Sequence, residues 1–292
     1  MTKILKFTVE DVRFPTSKDL TGSDAIHTDP DYSATYVTAF TDDLNLKGYG
    51  IAFTIGKGND IVAECIKHFF PIFENMSLED VENDIGKLWY KCVDHSQLRW
   101  LGPEKGAVHM AVAAIFNCLW DLIAKKNKKP LWRFIVESES EKILSWLTFK
   151  YIEDVLNPDQ ALKILKESQI DKKLRTDIIL KEGYPSYTTA AGWLGYSDEK
   201  IVKLCKKYIS MGWKHFKVKV GLDLEADVKR LHLIRKTIGD DCHIMVDANQ
   251  QWSVEQSIKH INAYKKFNLL FVEEPTSPDD VLGFVKIKKA VG

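Results

Sequence analysis

Apolar and polar positions follow two different patterns along the chain. Up to about residue 135, alternation with a period of two predicts strands and the 3.6-residue period predicts helices. The predicted strands are Ile4–Val12, Ala34–Phe40 and Gly48–Ile55, and the predicted helices are Ile61–Phe73, Leu78–Val93 and Ala107–Lys126. Three successive strands joined by turn-rich links favour an antiparallel meander. We therefore predict an α+β domain over residues 1–140.

Beyond residue 141, strand-like and helical segments alternate. A strand-like run at Leu144–Ile152 precedes a charged helical segment from Pro158 to Gly183. A repeat of roughly 25 to 30 residues then indicates parallel βα units. Its four extended segments are Tyr187–Trp193, His215–Val220, His243–Asn249 and Leu269–Pro275. Residues suited to cap the following helices are Ser197, Asp223, Ser253 and Ser277, the last with Pro278 at the first helical position.

Polar residues close three of these strands: Lys217 and Lys219, then Asp247 and Asn249, then Glu273 and Glu274. A (β/α)8 barrel places functional groups at the carboxyl ends of successive strands. The Gly-x-Gly-x-x-Gly pattern of dinucleotide-binding sheets follows none of them. We predict an α/β protein, in which a capping domain precedes an incomplete (β/α)8 TIM-type barrel over residues 141–292. Four such strands are present where a barrel needs eight.

Strand geometry gathers five of these polar groups. Successive side chains point to opposite faces of a strand, so Phe216 and Val218 suit packing against helices. By the same rule, Leu270 and Val272 are expected on the helix-facing side of the third strand. Glu274 is expected on that side too, away from the other polar groups. The side chains of the opposite face are expected at one site, and they are Lys217, Lys219, Asp247, Asn249 and Glu273.

These five side chains suit metal-assisted proton abstraction. Oxygen ligands on rigid strand ends suit Mg²⁺, for which Asp247 and Glu273 are candidate ligands. Two carboxylates are too few to bind Mg²⁺ well without substrate, so a third ligand is expected, and none is found in this chain. A lysine close to a cation and to a second lysine is expected to have a lowered pKa and can act as a base. The reaction class is removal of a proton α to a carboxylate, with the metal stabilising the enediolate.

The three strand ends resemble those of the mandelate racemase branch of the enolase superfamily. The segment Ala113–Trp132 resembles the last helical stretch before the barrel of that branch. Four more segments resemble the L-fuconate dehydratases of this family: His27–Tyr36, Gln97–His109, Tyr187–Asp198 and Glu273–Gly283. The resemblance covers essentially the whole chain.

The resemblance implies a Mg²⁺-dependent hydro-lyase that converts L-fuconate to 2-keto-3-deoxy-L-fuconate. Lys219 would take the α-proton, Lys217 would be its partner at the substrate carboxylate, and Asp247 and Glu273 would bind Mg²⁺. The implied substrate-binding residues are Gly22, Ser23, Asp24, Tyr32, Lys217 and Asn249. The third metal carboxylate and the catalytic His–Asp pair would lie on later strands, past Gly292. The chain alone is therefore expected to have little or no activity.

Two other functions stay open. A racemase or cycloisomerase of the same superfamily would share the first step, proton abstraction, and differ in its product. A shortened, non-catalytic isoform that acts by binding would account for a barrel with half of its strands.

Composition narrows the expected partners and location. The formal net charge is zero, which argues against a nucleic-acid partner. We expect no membrane partner, because no apolar run approaches the roughly 20 residues that span a bilayer. The five cysteines are scattered, as in reduced intracellular proteins. We expect a small-molecule sugar acid as partner, a mitochondrial or cytoplasmic location, and a possible homo-oligomer for a full-length relative.

Overall fold

The chain forms two compact units in a computed structural model that describes residues 1–102 and 104–292. Pro103, within the segment Gln97–His109, lies outside the described residues. The first unit comprises Met1–Phe14 and Tyr32–Gly183, and the second comprises Pro15–Asp31 and Tyr184–Gly292. This division falls at residue 183, whereas the sequence predicts a boundary near residue 140. The assignment of residues 1–140 to a capping domain and 141–292 to a half barrel stays a prediction.

An antiparallel sheet forms one layer of the first unit. Its strands are β1 (Ile4–Arg13), β2 (Ser33–Thr41) and β3 (Lys47–Thr54), in the order β1-β2-β3. The predicted meander is confirmed, with each strand boundary within one residue of its prediction. One face buries Ile4, Val37 and Ala39. The other face leaves apolar side chains exposed, among them Tyr49 and Phe53.

Two helices cover the buried face of this sheet, α1 (Asn59–Phe73) and α3 (Ala107–Lys126), and α2 (Leu78–Val93) packs on α3. Helix α3 packs so closely on β3 that a Cβ atom at Gly50 would lie 2.0 Å from the carbonyl oxygen of Ala114. Only glycine fits there. Among the described residues, α3 is also long and apolar enough to span a membrane, contrary to the expectation that no apolar run approaches that length. However, 61% of that apolar window is buried, as in a core helix of a soluble protein.

The first unit ends with four short helices: α4 (Leu131–Glu137), α5 (Ser140–Ser145), α6 (Pro158–Glu167) and α7 (Lys172–Glu182). The predicted strand at Leu144–Ile152 is wrong. The N–H groups of Trp146 and Leu147 donate to carbonyls three residues earlier in α5, so this backbone is satisfied by local turns. Trp146 then packs edge-on against Trp120 of α3 with ring centroids 5.1 Å apart, which holds the segment to the core.

The second unit alternates strand and helix, as predicted. Its elements are α8 (Asp198–Ser210), β4 (His215–Lys219), α9 (Leu224–Ile238), β5 (His243–Asp247), α10 (Val254–Tyr264), β6 (Leu269–Glu273) and α11 (Val281–Val291). The strands form a parallel sheet in the order β4-β5-β6. The extended segment predicted at Tyr187–Trp193 contributes one bridge, between Thr188 and Phe216, beside β4. The mixed α/β class is confirmed.

Two local predictions in the second unit are wrong. Helix α11 does not begin at Ser277 and Pro278, because a turn closes there (Asp280 N to Ser277 O, 3.0 Å) and Asp280 caps the helix instead. In β6 the residues paired with Ile244 and Val246 are Leu269 and Val272, so the strand carries one extra residue. Leu269 and Val272 therefore pack on the core, whereas Leu270 is 54% exposed.

Candidate active site

The parallel strands bring their polar ends to one edge of the sheet. Lys219 pairs in register with Asp247, and Asp247 pairs with Glu273. Lys217 lies two residues earlier on β4 and projects to the same side. Asn249 lies just beyond the end of β5, and its side chain joins the group by accepting a hydrogen bond from Lys219. The structure thus gathers five side chains in a group that we call the lysine–carboxylate cluster: Lys217, Lys219, Asp247, Asn249 and Glu273.

A continuous set of ion pairs and hydrogen bonds connects this cluster. Lys219 Nζ donates to Asp247 Oδ2 at 2.7 Å and to Asn249 Oδ1 at 2.8 Å. Lys217 Nζ lies 2.5 Å from Glu273 Oε2 and 3.2 Å from the same Asp247 oxygen. Asp247 Oδ1 accepts from the backbone N–H of Asn249 at 3.0 Å. One carboxylate oxygen therefore serves both ammonium groups, and moving any one charge changes the partners of the others.

The cluster is buried on its lysine side and open at Glu273. The side chains of Lys217, Lys219 and Asp247 are 7%, 10% and 3% exposed, and that of Glu273 is 36% exposed. Two aromatic rings cover the ammonium groups. The Tyr187 ring lies 4.8 Å from Lys217 Nζ and the Trp193 ring 5.7 Å from Lys219 Nζ, within the range of cation–π attraction.

Sequence reasoning did not include Tyr187 and Trp193 in the site. The available signal was their position in the extended segment one βα unit before β4. Backbone hydrogen bonds tie that segment to the strand, from Lys217 N to Thr188 O at 2.9 Å and from Lys219 N to Gly192 O at 2.8 Å.

Charge pairing and burial shift the pKa values of Lys217 and Asp247 in opposite directions. Burial favours a lower pKa for Lys217, but its hydrogen bonds with Glu273 and Tyr187 and the charge of Asp247 outweigh burial and raise the pKa. Burial favours a higher pKa for Asp247, but the hydrogen bond and charge of Lys219 lower it. Two carboxylates thus outweigh the neighbouring ammonium group at Lys217. The lowered pKa of a lysine beside a cation and a second lysine stays a prediction.

The loops that follow β5 and β6 turn sharply beside the cluster. Asn249, Gln250 and Glu274 have φ values of 49°, 65° and 46°, which are uncommon for residues with a side chain. Gln250 N donates to Glu274 O at 2.7 Å, and its side-chain amide donates to Glu274 Oε1 at 3.2 Å. Glu274 thus connects the two loops through its hydrogen bonds with Gln250, while Glu273 faces the lysines. Such strained positions are typical of functional sites.

The predicted substrate loop belongs to the second unit. Gly22 has a positive φ of 88°. Ser23 Oγ donates to Leu20 O and accepts from Gly195 N at 2.9 Å. Asp24 Oδ1 accepts from the N–H groups of Ile26 and His27. These bonds shape the loop and attach it to the residues that follow Trp193.

Tyr32 lies in the first unit, with its ring edge-on to Phe53 at 5.0 Å. It therefore has a different position in the fold from Gly22, Ser23 and Asp24. The substrate-binding roles of all four residues stay predictions.

The donor atoms present suit a hard divalent cation. Two carboxylates and one amide oxygen converge where two ammonium groups now supply positive charge, and oxygen donors of this kind are those that Mg²⁺ prefers. Among residues 1–102 and 104–292, no group of three or more His, Cys, Asp or Glu side chains is arranged to hold a metal ion. The third metal carboxylate, which is expected past Gly292, stays a prediction. The rings of His215 and His243 stack on each other with centroids 4.7 Å apart. They lie at the amino-terminal ends of β4 and β5, away from the cluster.

This arrangement defines a class of protein: parallel βα units whose strand ends carry amines and acids in one buried group. Residues 200–292 match the family described as enolase C-terminal domain-like. Mitochondrial enolase superfamily member 1 from Homo sapiens is 46% identical over 290 residues, 99% of this chain and 66% of that protein. Its crystal structure matches with a TM-score of 0.96 over 99% of this chain and 66% of that chain. The chain belongs to the enolase superfamily.

Two further relatives are named for reactions on sugar acids. L-galactonate dehydratase from Hypocrea jecorina is 43% identical over 291 residues, 99% of this chain and 64% of that protein. L-talarate/galactarate dehydratase from Salmonella typhimurium was solved with Mg and L-lyxarohydroxamate. It shares the fold, at a TM-score of 0.71 and 21% identity over 99% of this chain and 63% of that chain. The chain thus spans slightly less than two thirds of the length of the relatives it matches.

Proposed function

We propose that the lysine–carboxylate cluster belongs to a Mg²⁺-dependent sugar-acid dehydratase that converts L-fuconate to 2-keto-3-deoxy-L-fuconate. The observation that carries the proposal is the convergence of Lys217, Lys219, Asp247 and Glu273 on one strand edge, with Asp247 shared by both amines. The similarity to the fungal L-galactonate dehydratase supports a sugar acid as the substrate class.

Lys219 is the proposed base. Its Nζ atom is fixed by Asp247 and Asn249 and covered by the Trp193 ring, so the amine has one orientation and little contact with water. In the reaction Nζ, in its neutral form, takes the proton from the carbon next to the substrate carboxylate. The electron pair of the broken C–H bond moves into the carboxylate. The β-hydroxyl then leaves with a proton as water, and the resulting enol becomes the keto acid.

Lys217 is the proposed partner for the substrate carboxylate. Its raised pKa keeps it positively charged, which suits the binding of an anion. Asn249 offers an amide beside Lys219 for a substrate hydroxyl. Asp247 and Glu273 would hold Mg²⁺, whose charge, when the ion is bound, stabilises the enediolate. The group that protonates the leaving hydroxyl is not assigned among these residues.

We infer an intracellular location and a small sugar acid as the partner. The five cysteines are free thiols, as in a reducing compartment. The human relative is named as mitochondrial, so a mitochondrial location is the more specific form of this proposal.

A second candidate function is binding without catalysis. Two ammonium groups and two carboxylates already neutralise one another in the cluster. Among the described residues, no group of three or more His, Cys, Asp or Glu side chains is arranged to hold a metal ion. A protein of this kind would bind a sugar acid through Lys217 and Asn249 and leave its α-proton in place.

The test follows the α-proton of L-fuconate directly. The chain is incubated with L-fuconate and MgCl₂ in D₂O, and proton NMR records loss of the α-proton signal and formation of the keto-deoxy acid. Lys219→Met should slow the loss at least about 100-fold, the usual contribution of a positioned base. Lys229→Met, which changes an exposed lysine on α9, is the matched control and should leave the rate unchanged.

Each outcome separates the candidates. Exchange with epimerisation and without the keto acid identifies a racemase and rejects the dehydratase. Binding of L-fuconate by calorimetry without α-proton exchange supports the non-catalytic function. An exchange rate that Lys219→Met does not change rejects Lys219 as the base.

A further inference from the structure

A buried carboxylate lies behind β4, outside the proposed chemistry. Asp227 on α9 is 2% exposed. Its Oδ2 atom accepts hydrogen bonds from the backbone N–H of Gly221 at 2.8 Å and from the Tyr264 hydroxyl at 3.0 Å. A buried carboxylate is costly unless it is paired and hydrogen-bonded, so these contacts indicate a specific use.

Gly221 is the point at which the backbone leaves β4, two residues after Lys219. Its φ is +129°, and a Cβ atom there would lie 3.1 Å from Ala25 Cβ and 3.3 Å from the carbonyl oxygen of Ala248. Its carbonyl oxygen accepts from Trp252 Nε1 at 3.2 Å. Buried side chains therefore hold both polar groups of this residue, and Asp227 fixes its N–H.

A second route connects Asp227 to Lys219 through Arg230. Arg230 Nη2 lies 4.0 Å from Asp227 Oδ1, and Nη1 donates to the carbonyl oxygen of Trp193 at 3.2 Å. Trp193 is the residue whose ring covers Lys219 Nζ. Arg230 is only 9% exposed, and Nη2 has no hydrogen-bond partner among the described residues. The charge of Asp227 therefore helps to keep this guanidinium, and with it Trp193, in place.

We propose that Asp227 is a positioning residue for Lys219, acting through the Gly221 backbone and through Arg230 and Trp193. The proposal rests on the proposed role of Lys219 as the base. Asp227 fixes the turn that follows the lysine and supports the ring that covers it, while Asp247 and Asn249 hold the amine from the other side. A carboxylate with only a structural role would stabilise α9 and Tyr264 without affecting the amine.

The test compares variants that remove different contacts of the same carboxylate. Asp227→Ala removes all of them. Asp227→Asn keeps an acceptor oxygen for Gly221 but removes the charge near Arg230. Tyr264→Phe is the matched control, because it removes the other hydrogen bond to Oδ2 and leaves the Gly221 and Arg230 contacts intact.

Two measurements are made on the intact chain. Peptide mass spectrometry follows acylation of Lys219 by an amine-reactive ester, relative to the exposed Lys229 in the same molecule, and thermal unfolding reports overall stability. We expect acylation of Lys219 to be about tenfold faster in Asp227→Ala, intermediate in Asp227→Asn, and within about twofold of the wild type in Tyr264→Phe.

An acylation rate that rises equally in Tyr264→Phe, in proportion to the lost thermal stability, would show a structural role and overturn the proposal. If Asp227→Ala does not fold, the Asp227→Asn variant is used for the test instead. An unchanged rate of Lys219 acylation in Asp227→Asn would then overturn the proposal. The acylation does not depend on turnover. An α-proton exchange rate that Lys219→Met does not change, together with the expected acylation pattern, therefore rejects Lys219 as the base and retains its positioning.

Discussion

The two sheets of this protein each bury a polar group, but the two groups differ in kind. In the antiparallel sheet the buried members are neutral: Ser33, Thr35 and Thr54 surround Asn59 at the start of α1. The Asn59 amide also donates to the exposed carboxylate of Asp11 at 2.5 Å. Asn59 Oδ1 accepts from Thr35 Oγ1 at 2.7 Å and from Thr54 Oγ1 at 2.9 Å, and Ser33 and Thr54 share a hydrogen bond of 2.6 Å. In the parallel sheet the group is the ionised lysine–carboxylate cluster.

Strand direction explains the difference. Antiparallel pairing sets the start of β2 against the end of β3, so Ser33 meets Thr54 across the pair and hydroxyl groups satisfy one another. Parallel pairing sets three carboxyl ends side by side, which concentrates whatever charge the ends carry. Buried neutral side chains that satisfy one another stabilise a fold, whereas buried paired charges can exchange partners with a substrate or a cation. The comparison therefore favours the second unit as the place of the proposed chemistry.

The largest expected effect is that of Asp247→Asn. The substitution leaves two buried ammonium groups with one partly exposed carboxylate, and breaking a buried pair costs about 3–5 kcal/mol. Urea unfolding measures the change. The control is Glu64→Gln in the first unit, which removes an exposed partner of Lys67 and should cost less than about 1 kcal/mol. Equal losses in the two variants would contradict the comparison.

Asn59→Ala should have a smaller effect. The variant leaves the Thr35 and Thr54 hydroxyl groups without their buried acceptor, at a cost of roughly 1–3 kcal/mol. Urea unfolding with and without MgCl₂ should give the same loss, because the buried members of this group carry no charge for a cation to replace. A loss that depends on Mg²⁺ would remove the proposed distinction between the two buried groups.

Mg²⁺ itself should stabilise the protein slightly. At tenfold excess over its dissociation constant, an ion that binds only the folded state adds on the order of 1 kcal/mol. Thermal unfolding in EDTA and in MgCl₂ measures this increment, which should be lost in Glu273→Gln. It should persist in Glu274→Gln, because that side chain bonds with Gln250 instead of the lysines. An increment that survives in Glu273→Gln would place the ion elsewhere.

The smallest expected effect concerns pH and His260. Burial lowers the pKa of His260 below its ordinary value of 6.5, against the opposing charge of Asp227. The unfolded chain therefore binds more protons than the folded protein below pH 6.5. This contribution to stability is full above that pH and is lost as the pH falls through the lowered pKa. The free energy of unfolding should fall less in His260→Gln than in the wild type between pH 7.5 and 5, and equal falls would contradict this expectation.

The sequence predicted best those elements whose pattern is repeated many times. Helices α2 and α3 begin and end at their predicted residues, because several turns carry the same apolar stripe. Prediction failed where one or two residues decide the outcome. Trp146 draws the segment after α5 onto the core, Asp280 replaces Ser277 as the cap of α11, and one extra residue in β6 moves Leu270 away from the core face.

The membership of the site could be predicted in part. Alternation along β4, β5 and β6 selected the five side chains of the cluster, because strand periodicity is a local property. Tyr187, Trp193, Asp227 and Arg230 were not selected, because their contacts with the cluster or its backbone join segments that are distant along the chain. The raised pKa of Lys217 could not be predicted from the sequence for the same reason, since it depends on which charges lie nearest in space.

The sequence by itself determined the alternation of strand and helix, the polar ends of three strands and the membership of the enolase superfamily. These properties follow from side-chain periodicity and from residue types at fixed spacing. Only the tertiary structure decided that one oxygen of Asp247 serves both lysines, that aromatic rings cover both amines, and that residues 15–31 belong with the second unit. Distances between charges and the burial of rings depend on how distant segments pack, which no local pattern contains.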